Sequence, residues 1–234
     1  MKKLFDIDNP VIAFLSRLAD LIGLNFLFLI CCLPIFTIGA AWTALYYVTV
    51  KMVRKEESYI WKDFFKSFRE NFKQATQIWL INLLVIAIFA ADMLINRRYP
   101  DMLPVYVIVA VVACMFFTVS VMVYIYPMLS HFENTIGRTV KNSAMLAIIN
   151  LPQTILFVIL FALPFFSLAW GEISFRLFPI ILLLGFSGPA YIASLEWSKI
   201  FKKLEPADEE ADVDVIDAED QGNRDEQEEE EQRI

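Results

Sequence analysis

The residues equipped for chemistry in this 234-residue chain are few. His131 is the only histidine, so the chain holds no multi-histidine metal set, and proton handling would rest on His131 beside Glu133 alone. Cys31, Cys32 and Cys114 all fall in apolar stretches, where a thiol behaves as a small hydrophobe. The adjacent pair has Cα atoms only ~3.8 Å apart, a poor geometry for a bridge. No phosphate-cradling Gly-Lys loop occurs. The expectation is a protein without catalytic residues, cofactor or metal, and so not an enzyme.

Two other sets of residues could recognise rather than react. Asn25, Asn82, Asp92, Asn150 and Gln153 interrupt apolar stretches, and an unpaired polar group in hydrocarbon costs several kcal/mol. Each therefore needs a partner: another helix or, if several converge, a substrate path. Asp92 lies close enough to Arg97 and Arg98 to pair there or to reach water. The second set is aromatic. At 100° per residue, Trp61, Phe64, Phe65, Phe68 and Phe72 share one arc about 100° wide. Lys62, Asp63, Lys66, Arg69, Glu70 and Lys73 fill the opposite arc. Such a helix fits the headgroup region, a docking partner or anionic lipid. The segment 130–142 adds the densest polar cluster of the body, including Glu133, Asn134, Gly137 and Arg138, as a second contact surface.

The elements that must carry these residues follow from composition. The chain is 58% hydrophobic, against about 45–50% for a soluble domain. Its net charge of −7 is divided unevenly. Residues 1–203 hold 18 Lys and Arg against 12 Asp and Glu, whereas residues 204–234 hold 2 against 15. A basic apolar body with an acidic tail excludes an acidic soluble protein and a nucleic-acid binder. The tail has too little apolar surface to offset its ordering entropy, so it is expected to be disordered in the cytoplasm.

A membrane helix needs roughly 20 mostly apolar residues. Residues 78–95, 103–128, 144–170 and 177–195 qualify. Residues 21–50 are uncharged but would overshoot a bilayer as one helix, and Pro34 marks a break. Either 10–20 lies in the interface and one kinked helix crosses, or 11–33 and 35–53 cross as a pair. Seven Lys and Arg in 51–73 put that loop inside. The double crossing then gathers 15 basic residues inside against 3 outside, and the single crossing 12 against 6. The expected fold is an all-α, polytopic transmembrane helical bundle of five to six helices, six favoured. It comprises residues 1–203, with a cytoplasmic amphipathic segment at 54–75 and the tail at 204–234.

The segments 5–10, 15–21, 32–40 and 43–47, with Asp8-Asn9-Pro10, Cys32-Leu33-Pro34 and Thr43-Ala44-Leu45-Tyr46-Tyr47 among them, resemble the YesL-like family of bacterial integral membrane proteins. Phe132-Glu133-Asn134-Thr135-Ile136-Gly137-Arg138-Thr139 is similar to that family's second inside loop. The resemblance covers about residues 1–200 and leaves out the acidic tail. It implies a multi-pass protein of the bacterial plasma membrane with a cytoplasmic C-terminus. The family has no established activity, so it implies no catalytic residue. Its gene neighbourhoods imply an accessory role in carbohydrate uptake or sensing, with the bilayer and a sugar importer as partners. The alternative is a small autonomous transporter.

Overall fold

A computed structural model describes residues 10–56, 59–99, 104–169 and 171–204. The calls on the N-terminal residues 1–9 and on the acidic tail lie outside the described residues. Those described form helices and no strands. The chain divides into the units Met1–Leu195 and Glu196–Ile234.

Pro10, whose ring presets the helical φ and whose missing N–H would be unpaired anyway, opens α1 (Pro10–Cys31). The helix stops before Pro34, because proline restricts the residue ahead of it and donates no hydrogen bond. A single 3-10 turn (Ile35–Thr37) then leads into α2 (Ile38–Arg54). The Thr37 hydroxyl lies 2.6 Å from the carbonyls of both Cys31 and Pro34, and its backbone N–H also donates to Pro34 at 3.0 Å, so side chain and main chain together close the break. The expected break at Pro34 is therefore present. α2 is sheathed by protein on nearly all sides: Ala40, Ala41, Thr43, Ala44, Leu45, Val48 and Thr49 are fully buried. It ends at Lys55, in the left-handed conformation (φ 58°), whose N–H returns to Lys51 and Met52.

α3 runs unbroken from Ile60 to Arg98 (39 residues). This joins in one helix what the sequence suggested as two pieces, an amphipathic segment at 54–75 and an apolar span at 78–95. The junction Gln74-Ala75-Thr76-Gln77-Ile78-Trp79 contains neither glycine nor proline, so nothing ends the helix between its polar and apolar halves. α4 (Val105–His131) follows. The expected span at 144–170 is instead a bent pair, α5 (Ile136–Ile149) and α6 (Leu151–Ala169), at 104°. Asn150 sits at the corner and Pro152 in the first turn of α6, where its missing N–H costs nothing. α7 (Gly171–Leu184) and α8 (Ser187–Leu204) meet at 47°. Within the second unit the Trp197 and Phe201 rings lie 5.4 Å apart.

Among the described residues three helices, α1, α3 and α4, are long and apolar enough to cross a membrane, or up to five spans if each bent pair counts as one. Side-chain ties join the first unit: Tyr124 to Thr154 at 2.8 Å (α4–α6) and Thr49 to Ser194 at 2.8 Å (α2–α8). α2 and α3 are antiparallel, and two contacts set their register. Gly39 lies against Ala75 and Trp79, and Lys51 pairs with Asp63 at 3.2 Å.

Candidate functional site

The amphipathic helix and the polar loop, read separately in the sequence, meet. α3 presents Lys66, Glu70 and Gln74, α2 contributes Tyr47, the end of α4 contributes His131 and the α4–α5 connection Glu133 to a groove of about 1000 Å³. Gln74 Nε2 donates to the Asn134 carbonyl at 2.6 Å and pins the loop to the helix. A smaller recess of about 180 Å³ adjoins it, sharing Tyr47, Ser130 and His131 and adding Lys51, Arg54 and Glu56. Both signs of charge and several amides line one open surface, which suits recognition of a polar chain segment. Among the described residues no three His, Cys, Asp or Glu side chains gather to hold a metal.

The aromatic arc is divided by its packing. Trp61 and Phe65 are exposed, Phe68 and Phe72 half-buried, and Phe64 fully buried. The Phe64 and Phe68 rings stack at 6.2 Å, and Phe68 and Phe72 meet at 5.5 Å. The arc as a whole is thus no free surface, because the protein itself covers Phe64 and part of Phe68 and Phe72. Only the Trp61 and Phe65 edge remains outward. Glu133 is exposed and Asn134 half-buried in the groove, while Gly137 and Arg138 are exposed on the first turn of α5, outside its lining. Asp63, expected on the polar arc, is buried and bound to Lys51. That pair holds the ammonium above its ordinary value: burial lowers it, and the hydrogen bond and charge of Asp63 outweigh burial. The Lys51 stabilisation is complete below about 10.5 and is lost as pH rises through the raised value. Asp63→Asn is expected to cost about 2 kcal/mol at neutral pH. Melts in detergent should show the gap to the parent protein closing only above pH ~10.5.

The polar residues of the apolar stretches do not meet around one path. Asn25 is fully buried and bridges the α7–α8 break. Its Nδ2 donates to the carbonyls of Leu182 at 2.8 Å and Ile181 at 3.4 Å, and its Oδ1 accepts from the N–H groups of Phe186 and Ser187 at 3.0 Å each. Asn150 donates to Leu146 of its own helix at 3.1 Å. Asp92 and Gln153 are half-buried on α3 and α6. Asn82 lines a small cavity of about 130 Å³ with Trp42, Tyr46, Trp79, Tyr126 and Phe161. There the Asn82 Oδ1 and the Tyr126 hydroxyl are both buried and meet no protein partner. Tyr126 carries no sequence signal beyond its place in an apolar run. Of the three cysteines, Cys31 and Cys32 are half-buried, while Cys114 is exposed on α4, contrary to a uniformly buried set.

Residues 21–93, which include half of α1, all of α2 and most of α3, match the model of a family described as "Protein of unknown function, DUF624". Neither a curated protein nor a solved structure matches the chain.

Proposed function

We propose that this chain is a non-enzymatic accessory or assembly subunit of a bacterial plasma-membrane complex, held by several membrane helices with the groove and the C-terminus in the cytoplasm. The observation that carries this reading is the groove itself, where α2, α3 and the α4–α5 connection converge on a mixed-charge surface, with a second recess lined by the exposed Trp61 and Phe65 sharing Lys66 and Glu70 with it. Aromatic anchors beside a polar rim are the usual make-up of an energetically dominant contact patch. The family match over 21–93 is consistent with a YesL-like protein. The link to carbohydrate uptake or sensing rests on that likeness alone and names a sugar importer as the first partner to seek. The basic residues of 51–73 favour the cytoplasmic side.

A photo-crosslinking residue placed at Phe65 or Glu133 in native membranes tests the proposal. The expected result is one discrete adduct with another membrane-complex subunit, weakened at least threefold by Gln74→Ala, which frees the loop from α3. Adducts with lipid or with a second copy alone would overturn it.

A further inference from the structure

Length and composition allow α1 to cross a membrane, but the register of α2 on α3 argues against it. From Gly39 to Lys51 on α2, and from Ala75 back to Asp63 on α3, the two helices run side by side for ~18 Å. Over that same stretch the outer face of α3 exposes Lys66, Arg69, Glu70 and Lys73. Were α2 in the hydrocarbon, these charges would share its depth, where ionised side chains are expensive to hold. The exposed surface of α3 becomes apolar only beyond Trp79, with Leu80, Ile81, Leu84 and Ile88. The remaining stretch to Arg98 rises ~28 Å, one hydrocarbon thickness and no more.

The hairpin tip lies at the near edge of that stretch. Trp79 Nε1 donates to the Ile35 carbonyl at 2.7 Å, which puts the turn after Pro34 level with the polar-to-apolar change on α3. α1 exposes polar residues early, Ser16 and Arg17 beside the apolar Phe14 and Leu15, and only apolar ones from Phe26 onward. So does α5, with Arg138, Lys141 and Asn142 exposed first, then Met145, Ile148 and Ile149. On α3 and α5 the exposed surface thus passes from charged to apolar, and on α1 no charge is exposed beyond Arg17. The tip carries a cluster of exposed apolar residues, Leu33 (79%), Ile35 (62%) and Ile30 (59%).

We infer that the α1–α2 hairpin does not cross the membrane: it is re-entrant, and its apolar tip wades into the leaflet on the side of the polar groove. The surface formed by Ile30, Leu33, Ile35 and Phe36 has the acyl chains of that leaflet as its partner, inserted by roughly 5–10 Å as for other interfacial apolar faces. α2 is then a core helix of the near side, which accounts for its burial in protein. This rests on the membrane reading above but is independent of the groove's partner.

Spin labels on single cysteines test it, using the full chain in liposomes with the native cysteines replaced. Leu33→Cys, Lys66→Cys and Tyr99→Cys all alter exposed positions. The expected result is a Leu33 label relaxed by oxygen and within about 10 Å of the phosphates on the Lys66 side, with a water-soluble nickel chelate reaching Tyr99 only from the opposite side. A Leu33 label at the Tyr99 face, or one relaxed by chelate added on that face, would overturn the re-entrant hairpin. Lys66 and Tyr99 reporting the same side would overturn the membrane reading on which it stands, whereas a missing crosslinked partner would affect neither.

Discussion

Replacing Asn25 with leucine is expected to lower stability in detergent by about 4 kcal/mol, because one amide meets four backbone groups at the α7–α8 break. A helix end leaves carbonyls and N–H groups unpaired, and here two ends face each other in apolar surroundings. The chain reduces the problem locally: Pro189 has no N–H to satisfy, and Ala190 donates to Phe186 at 3.0 Å. Gly185 permits the close turn, since a Cβ there would meet the Ile181 carbonyl at 2.5 Å. What remains falls to Asn25. Hydrogen bonds between membrane helices average well under 1 kcal/mol, since released side chains find new partners. Backbone groups fixed at a break have no such freedom, so their loss should approach the full penalty for buried unmet groups. Asn25→Asp separates the two halves of the latch. Burial keeps its acid protonated, so one oxygen still accepts from Phe186 and Ser187 while the O–H can donate to only one of the two carbonyls, and most of the loss should return. Hydrogen exchange at residues 185–188 checks this directly: faster exchange in Asn25→Leu, near-parent protection in Asn25→Asp. Unchanged melting in both variants would show that the break is satisfied by other means.

Asn25 also shows which part of the site could be read in advance. Its apolar context made it conspicuous and required a partner, but the partners are main-chain atoms about 156 residues away, and a main-chain atom has no letter of its own. The break at Pro34 was legible because proline acts locally. The continuity of α3 was misread because a change from polar to apolar surface resembles a boundary, although only backbone chemistry ends a helix. The aromatic arc was legible as an arc and misjudged as a surface. Periodicity identifies a face without saying what covers it, and Phe64 is fully buried within the protein. The two halves of the groove were each visible as polar clusters; their meeting depends on the 2.6 Å bond from Gln74 to Asn134, sixty residues apart. Tyr126 gave no sign at all, because tyrosine in an apolar run is ordinary until its neighbours are known.

The placement of α2 turns on a single residue without a side chain, so Gly39→Ala is expected to cost about 3 kcal/mol, far more than one methyl group implies. An added Cβ would lie 2.6 Å from the Ala75 carbonyl oxygen and 2.7 Å from the Trp79 Cβ. Neither is the far end of a flexible chain, so the helix backbones must part. Overpacking of this kind typically costs 1–3 kcal/mol, and here the separation would propagate along ~18 Å of shared contact. It would also draw Ile35 away from the Trp79 indole, releasing the tip from the depth at which that bond holds it. Gly23→Ala is the matching control: nothing lies within 4 Å of its would-be Cβ, and alanine is the better helix former by about 1 kcal/mol. The two substitutions should therefore move the melting temperature in opposite directions, down for Gly39 and level or up for Gly23. The Trp79 emission should shift only in the first. Equal and small effects at both positions would mean that α2 and α3 are not in contact at Gly39, and the register that places the hairpin tip would fall with them.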